Sequence, residues 1–182
     1  MNFVQPIRDP SLVQDIANCL KKENERNYIM FIVGIYSGLR ISDILKLKIY
    51  DVKNKNYLSL REKKTGKQRM FEINPILKKE LEYYIDGKDP DDYLIKSREN
   101  FNRPICPSMA YKILREVGER FGLESIGTHT LRKTFGYHFY RQTHDVVTLM
   151  KIFNHSHPGV TLRYIGIEQE SINNAMKKFK IY

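Results

Sequence analysis

Apolar residues recur at helical spacing along most of the chain. After a helix-start signal at residues 9–11, Leu12, Ile16 and Leu20 fall on one face. A second apolar run stops at Gly38, a residue typical of helix C-termini, and a short helix is expected to begin near Ser42. The same spacing predicts further helices over 27–37, 75–85, 107–122, 128–142, 145–153, 158–165 and 168–180.

A different periodicity follows residue 49. Segments 57–61 (Y-L-S-L-R) and 69–73 (R-M-F-E-I) alternate between apolar and polar residues, as β-strands do. The intervening K-K-T-G-K-Q segment places Gly66 at the tip of a hairpin. Residues 49–52 are expected to add a third strand. The pattern predicts an α+β fold, mostly α, in which a helical domain carries a small three-stranded antiparallel sheet.

Length and charge narrow the class of protein. A chain of 182 residues suits one well-cored domain, spanning 1–182. It has 31 Lys and Arg against 21 Asp and Glu, a net charge of +10. This excess favours polyanionic partners, because each cation that neutralises a phosphate releases condensed counterions. A basic surface that only aids solubility would give the same composition.

Cysteine usage and hydropathy indicate the compartment. Cys19 and Cys106 are far apart and lack metal-ligand spacing, which favours a reducing environment. The chain has no run of about 18 apolar residues, and its first ten residues lack the apolar core of a signal peptide. We therefore expect a protein of the cytoplasm or nucleoid, with no membrane association.

The C-terminal third carries a set of chemically active side chains. His129 and Arg132 are three residues apart on a predicted helix, so they share one face. A forked guanidinium matches the oxygens of a phosphoryl-transfer transition state, and an imidazole can donate or move a proton. His155 and Tyr164 follow, and a phenol becomes a nucleophile where its surroundings favour the phenolate. The set is typical of tyrosine attack on a phosphodiester, although H-x-x-R alone also occurs at ordinary helix starts.

Two upstream positions could complete such a site. Arg40 fits either a surface pair with Asp43 or a second phosphate clamp braced by that carboxylate. Lys64, near the hairpin tip, fits either a solvated turn lysine or an acid that protonates a leaving oxygen. His155 and His157 have no third ligand at suitable spacing, so no metal site is expected. No phosphate-loop pattern accompanies these residues, so no nucleotide cofactor is expected either.

In chain order, four segments resemble the catalytic domain of the tyrosine recombinase (phage integrase) family. They are G-L-R-I-S-D-I-L (38–45), K-T-G-K (64–67), H-T-L-R-K-T-F (129–135) and H-S-H-P-G-V-T-L-R-Y (155–164). The match is colinear from about residue 10 to the C-terminus, and the order of four short motifs makes it specific. Phe153 and Asn154 depart from the leucine and glycine usual in the family before the histidine.

The resemblance implies an enzyme that cleaves and rejoins DNA strands through a 3′-phosphotyrosyl intermediate, without metal or ATP. The residues it places at the scissile phosphate are Tyr164 as nucleophile, Arg40 and Arg132 as the clamp, Lys64 as general acid for the 5′ oxygen, His129 in proton transfer and His155 as a donor to a non-bridging oxygen, with Asp43 bracing them. Further DNA contacts are expected from basic residues: Lys63, Lys67, Arg69, Lys133 and Arg163.

The resemblance also implies an assembly. Double-stranded DNA is the expected partner, with a monomer in isolation, a homotetramer on DNA, and an origin in a prokaryote, phage or mobile element. The helical N-terminal DNA-clamping (SAM-like) domain usual in the family is expected to be absent. The tail, 168–182, has an apolar stripe that includes Ile172, Met176 and Phe179. We expect the tail either to pack on its own domain or to dock in trans on a neighbouring protomer, and we favour docking in trans.

Two other functions fit parts of the pattern. A DNA-binding regulator could keep this fold without the reaction, although it would need no nucleophile at position 164. A relaxing enzyme of the type IB topoisomerase kind would use similar chemistry.

Overall fold

The computed structural model describes residues 4–61, 66, 68–99 and 101–181, with the backbone alone at residue 69. The elements of this part, in chain order, are α1 (Pro10–Glu23), α2 (Glu25–Ser37), α3 (Ile41–Ile44), β1 (Tyr57–Arg61), β2 (Gln68–Glu72), α4 (Pro75–Ile85), α5 (Pro107–Arg120), α6 (Thr128–Thr143), α7 (Val146–Phe153), α8 (Pro158–Tyr164) and α9 (Ile167–Lys178). The fold is mostly helical with a small antiparallel sheet, as predicted.

Side-chain caps set where several helices begin. Asp9 accepts a hydrogen bond from the Ser11 amide at 2.8 Å, and Pro10 occupies the first turn of α1. Asn74 caps α4, and Asp145 caps α7 by accepting from the Thr148 amide at 2.8 Å. These caps explain why the predicted and observed helix starts agree within two or three residues. Helix α3 also begins within one residue of its predicted start, but the predicted cap is wrong: the N-cap is Arg40 rather than Ser42, and its side chain makes no cap hydrogen bond.

The predicted third strand is wrong. Residues Ile49–Asp51 form a single 3₁₀ turn, and the described part of the sheet contains β1 and β2 only, paired from Tyr57↔Glu72 to Arg61↔Gln68. The Asp51 carboxylate accepts from the Lys48 amide at 2.8 Å and closes the turn. Because the Val52 amide bonds back to Ile49 at 3.1 Å, these backbone groups are not aligned for pairing with a strand.

Helix α2 is the centre of the main hydrophobic core. It is buried along most of its length and packs against α1, α4 and α6. The approach to α6 requires a glycine, because a Cβ at Gly34 would lie 2.5 Å from Cδ1 of Leu131. Helix α6 is thereby fixed against the middle of the molecule.

A smaller hydrophobic cluster lies among α6, α7 and α8. Its buried members are Tyr137, Leu149, Phe153 and Ile165. A Cβ at Gly136 would lie 2.7 Å from both Phe153 and Ile165, so α6 also packs closely on this side. Helix α6 therefore joins the two clusters, and the candidate site forms along it.

Helix α9 rests on the surface of the domain. None of its residues is buried, and Ile172, Met176 and Phe179 are at least half exposed. Its Glu170 lies 3.7 Å from Arg8 and 3.8 Å from Arg141 in ion pairs. None of the helices in the described ranges has the length and apolarity needed to cross a bilayer.

Candidate active site

Tyr164 is the last residue of α8 and meets α6 through its hydroxyl. The phenol oxygen lies 3.3 Å from Nδ1 of His129. The ring packs edge-on against Phe153 and His155, with centroid distances of 5.4 Å to each. The structure therefore brings His129, His155 and Tyr164 into contact, although they come from three separate stretches of the sequence.

Arg132 lies beneath this contact and is held by two helix ends. Its side chain is buried, with the residue 3% exposed. One terminal nitrogen donates to the carbonyl of Gly38, at the C-cap of α2, and the other donates to the carbonyl of Phe153, the last residue of α7, at 3.0 Å. Both carbonyls lie at negative helix ends, which favour a cation. The guanidinium carbon is also 4.3 Å from the centre of the Phe153 ring.

Arg40 is positioned by the same junction that anchors Arg132. Gly38 has a left-handed backbone (φ 63°) and ends α2, and Arg40 follows in an extended conformation as the N-cap of α3. The backbone carbonyl of Arg40 accepts from the amide of Asp43 at 2.8 Å, and Asp43 is 2% exposed. The α2–α3 junction therefore orients one arginine through its backbone and holds the other through the Gly38 carbonyl.

His155 is oriented by a buried threonine that was not among the residues predicted from the sequence. Its Nδ1 lies 2.9 Å from Oγ1 of Thr161, which is 0% exposed. Asn154, just before it, caps α7 in the left-handed region (φ 54°, ψ 46°). Asparagine tolerates this conformation better than most non-glycine residues, which accounts for its place where the family usually has glycine. The sequence signal that could have indicated Thr161 is its spacing, because its hydroxyl lies three residues, or about one helical turn, before Tyr164.

The site is partly desolvated and positively charged. Burial raises the pKa of Tyr164 above its ordinary value of 10.0, and the charges of Arg132 and Arg40 oppose that rise. Burial, followed by the same two arginines, lowers the pKa of His155 below 6.5. At neutral pH the site therefore combines a neutral phenol and a neutral imidazole with two guanidinium charges. The two guanidinium charges favour the binding of an anionic group beside the phenol oxygen, whereas burial keeps the phenol itself protonated.

The sequence profile of the phage integrase family matches residues 9–171. The chain belongs to the phage integrase family. Among curated relatives it is 48% identical over 179 residues to the probable integrase/recombinase YoeC of Bacillus subtilis (strain 168), and the alignment covers 98% of each chain. It is 28% identical over 162 residues to tyrosine recombinase XerA of Pyrococcus horikoshii, where the alignment covers 87% of this chain and 56% of that protein.

Solved structures of the phage integrase kind share this fold. The crystal structure of XerA recombinase superposes with a TM-score of 0.77 at 22% identity, covering 98% of this chain and 67% of that one. XerH recombinase, solved in a post-cleavage complex with a palindromic difH substrate, gives 0.71 at 17% identity and covers 98% of this chain and 54% of that one. The chain thus spans about half to two thirds of these longer proteins.

The other basic residues predicted from the family resemblance fall into two groups. Lys63, Lys64 and Lys67 lie outside the described residues, as does the side chain of Arg69. Lys133 is half-buried, with its ammonium 5.1 Å from the ring centre of Tyr164. The Arg163 side chain is 76% exposed and donates to Glu168 at 3.0 Å, so it stands outside the contact around Tyr164.

The remaining histidines have structural partners, and the ring of His144 lies edge-on to that of Tyr140 at a centroid distance of 5.6 Å. His157 caps α8 by accepting from the Gly159 amide at 3.0 Å, and His138 lies 2.9 Å from the carbonyl of Ile7. Among the residues that the structure describes, no group of three or more His, Cys, Asp and Glu side chains could hold a metal ion.

Proposed function

We propose that this chain is the catalytic domain of a site-specific DNA recombinase or integrase, which cleaves and rejoins strands through a 3′-phosphotyrosyl intermediate. The observation that supports this most strongly is the position of Tyr164. Its phenol oxygen meets His129, its ring meets His155, and the charges of Arg40 and Arg132 act on it. A packing or surface tyrosine needs no such surroundings.

The reaction follows from these groups. The Tyr164 oxygen forms a bond to phosphorus, the bond from phosphorus to the 5′ oxygen breaks, and the strand leaves with a free 5′ hydroxyl. Arg40 and Arg132 bind the non-bridging oxygens, where negative charge grows in the transition state. His155 donates a hydrogen bond to the same oxygens, and His129 takes part in moving the phenolic proton. Attack by a 5′ hydroxyl on the phosphotyrosine reverses the step and rejoins a strand, so neither metal nor ATP is needed.

Two further residues are assigned by the family resemblance. Lys64 protonates the leaving 5′ oxygen, a role suited to an ammonium on a flexible stem. Asp43 braces the clamp from below, which agrees with its burial one turn after Arg40. Lys63, Lys67, Arg69 and Arg163 contribute to DNA binding through their charge.

The partner in this proposal is double-stranded DNA. A net charge of +10 supports it, as do the solved relatives that were crystallised on a difH substrate and on a lambda core site. The chain acts in the cytoplasm or nucleoid, as a monomer in isolation and a homotetramer on DNA. The exposed Ile172, Met176 and Phe179 support docking of the tail on a neighbouring protomer.

Covalent trapping tests the function directly. The protein is incubated with a library of nicked suicide duplexes with randomised cores, from which the short 5′-hydroxyl fragment diffuses away and prevents religation. A denaturing gel should show protein linked to DNA, and Tyr164→Phe should abolish that species while retaining the gel-shift complex. Tyr83→Phe is the matched control, because Tyr83 is 72% exposed on α4; it should trap DNA normally.

Two outcomes would change the assignment. A gel shift without any covalent species would favour a DNA-binding regulator that keeps the fold. Trapping together with steady relaxation of a supercoiled plasmid, but without exchange between two sites, would favour the topoisomerase-like activity.

A further inference from the structure

Lys133 stands in an unusual place for a lysine that contacts DNA phosphates. It follows Arg132 on α6, and its Nζ lies 5.1 Å from the ring centre of Tyr164. The residue is half-buried, and no carboxylate in the described part of the chain forms an ion pair with it. An ammonium that contacts the ring of a nucleophile can influence that nucleophile.

We infer that Lys133 is a positioning residue for Tyr164, whose ammonium contacts the phenol ring and stabilises the negative charge that develops during attack. This inference rests on the proposed function, because it assigns a role within the same reaction. Lys133 acts through the tyrosine and does not itself contact the phosphate.

The physical basis is the charge distribution of the ring. A neutral phenol attracts a cation to its face only through its quadrupole, which is a weak interaction. A phenolate carries a full negative charge that is partly delocalised into the ring, so it attracts the same cation more strongly. Because only interactions that strengthen towards the transition state accelerate a reaction, this difference raises the rate of attack. Partial burial keeps solvent and salt from screening it.

Lys133 also differs in direction from the arginine clamp. Consecutive residues leave an α-helix about 100° apart, so the side chains of Lys133 and Arg132 leave α6 in different directions. In the proposed reaction, the charges of Arg40 and Arg132 are compensated by the bound phosphate. An ammonium on the ring keeps its effect after the phosphate arrives, at the stage when the phenol must lose its proton.

The charged groups around this pair are accounted for by element. Tyr164 is faced by His129 and Arg132 from α6, by Arg40 from the α2–α3 junction, and by His155 from the segment before α8. Lys133 is faced by Arg8 from the N-terminal segment. Burial, and to a smaller extent the charge of Arg8, lower the pKa of Lys133 below its ordinary value of 10.5. The benefit of the ammonium should therefore fade earlier in alkaline solution than for an ordinary lysine.

A titration without DNA separates this inference from the proposed function. Tyr164 is replaced by 3,5-difluorotyrosine, which lowers the phenol pKa into a range that the fold tolerates, and fluorine NMR follows its ionisation. Lys133→Met should raise that pKa by about half a unit or more, whereas Lys133→Arg should leave it nearly unchanged. Lys112→Met, an exposed lysine on α5 paired with Glu116, is the control. An unchanged phenol pKa in Lys133→Met would overturn the inference.

Single-turnover cleavage of a nicked suicide duplex tests whether Lys133 affects the rate of attack by Tyr164. At saturating DNA, Lys133→Met should cleave about tenfold more slowly, and Lys133→Arg should restore most of the rate and retain it at higher pH. The affinity should change by less than about twofold, with an unchanged salt dependence. A phosphate-contacting lysine behaves differently, since its loss weakens binding and reduces the salt slope by about one.

The outcomes are distinct. Weakened binding with an unchanged cleavage rate would assign Lys133 to DNA and overturn the inference. Absence of cleavage in every variant, including the unmodified chain, would overturn the proposed function, while the fluorine titration would still decide the role of the ammonium. Lys133→Gln provides a second neutral side chain if the methionine variant fails to fold.

Discussion

Replacing Arg132 with lysine tests whether this residue holds the fold together as well as the phosphate. The guanidinium bridges two helix ends through separate nitrogens, reaching the carbonyls of Gly38 and Phe153. A lysine keeps the charge, but its single nitrogen cannot reproduce the planar fork. Arg132→Lys is therefore expected to destabilise the protein in addition to slowing cleavage.

The size of the effect follows from the contacts. Losing one hydrogen bond to a charged donor costs about 1.5–3 kcal/mol, and losing the stacking on Phe153 costs a further 0.5–2 kcal/mol or so. A total of about 3 kcal/mol should lower the melting temperature by about 6–12 °C, since each kcal/mol corresponds to about 2–4 °C for a chain of this size.

Thermal unfolding followed by circular dichroism measures this directly. Arg163→Lys is the matched control, because Arg163 adjoins Tyr164 in sequence but its side chain is 76% exposed and pairs with Glu168 at the surface. It should unfold within about 0.5 kcal/mol of the unmodified protein. If Arg132→Lys melted within about 2 °C of the unmodified protein, the two carbonyl contacts would not stabilise the fold as argued.

Three further outcomes are expected. Thr161→Val should slow single-turnover cleavage about tenfold while leaving DNA binding unchanged, because His155 loses the hydroxyl at its Nδ1. Thr161→Ser should restore the cleavage rate. Equal cleavage by the unmodified protein and both variants would show that Thr161 has no role in the site. Asn154→Ala should lower the free energy of unfolding in urea by about 1 kcal/mol, because alanine is strained in the left-handed conformation, whereas Asn154→Gly should not; a neutral alanine variant would contradict the strain. The pKa of His155 in the folded protein lies below its ordinary 6.5, so the unfolded chain binds the proton first as the pH falls. The free energy of unfolding should therefore decrease as the pH drops from 6.5 towards the lowered pKa. His155→Gln should reduce this pH dependence, and an identical pH profile in that variant would contradict the assignment to His155.

Most of the helices could be predicted because their signals are local. Asp9, Asn74 and Asp145 each cap a helix through a side chain that precedes an apolar repeat, and such signals can be recognised in a single sequence. The third strand could not be distinguished in this way. Its apolar residues fit a strand, but the Asp51 carboxylate bonds to the Lys48 amide and forms a turn instead.

The candidate site was predictable in its residue types and less so in its supports. The order of the four family motifs along the chain, rather than the spacing of His129 and Arg132 alone, predicts that these residues and Tyr164 share one site. The carbonyls that hold Arg132 come from Gly38 and Phe153, and every residue has a carbonyl, so no residue type reveals them. The role of Thr161 depends on how the segment around 158–159 folds back, which a single sequence does not specify.

The division of the interior into two clusters affects how the molecule opens. Tyr164 lies on the smaller cluster, which Tyr137, Leu149, Phe153 and Ile165 form, whereas α2 is embedded in the larger one. Separation of α7 and α8 from α6 exposes the smaller cluster and leaves the larger one intact, so amide protons in α8 should exchange with solvent well before those of α2. In the proposed reaction, Tyr164 could then be exposed and withdrawn through a local equilibrium of α7 and α8 while most of the domain stays folded.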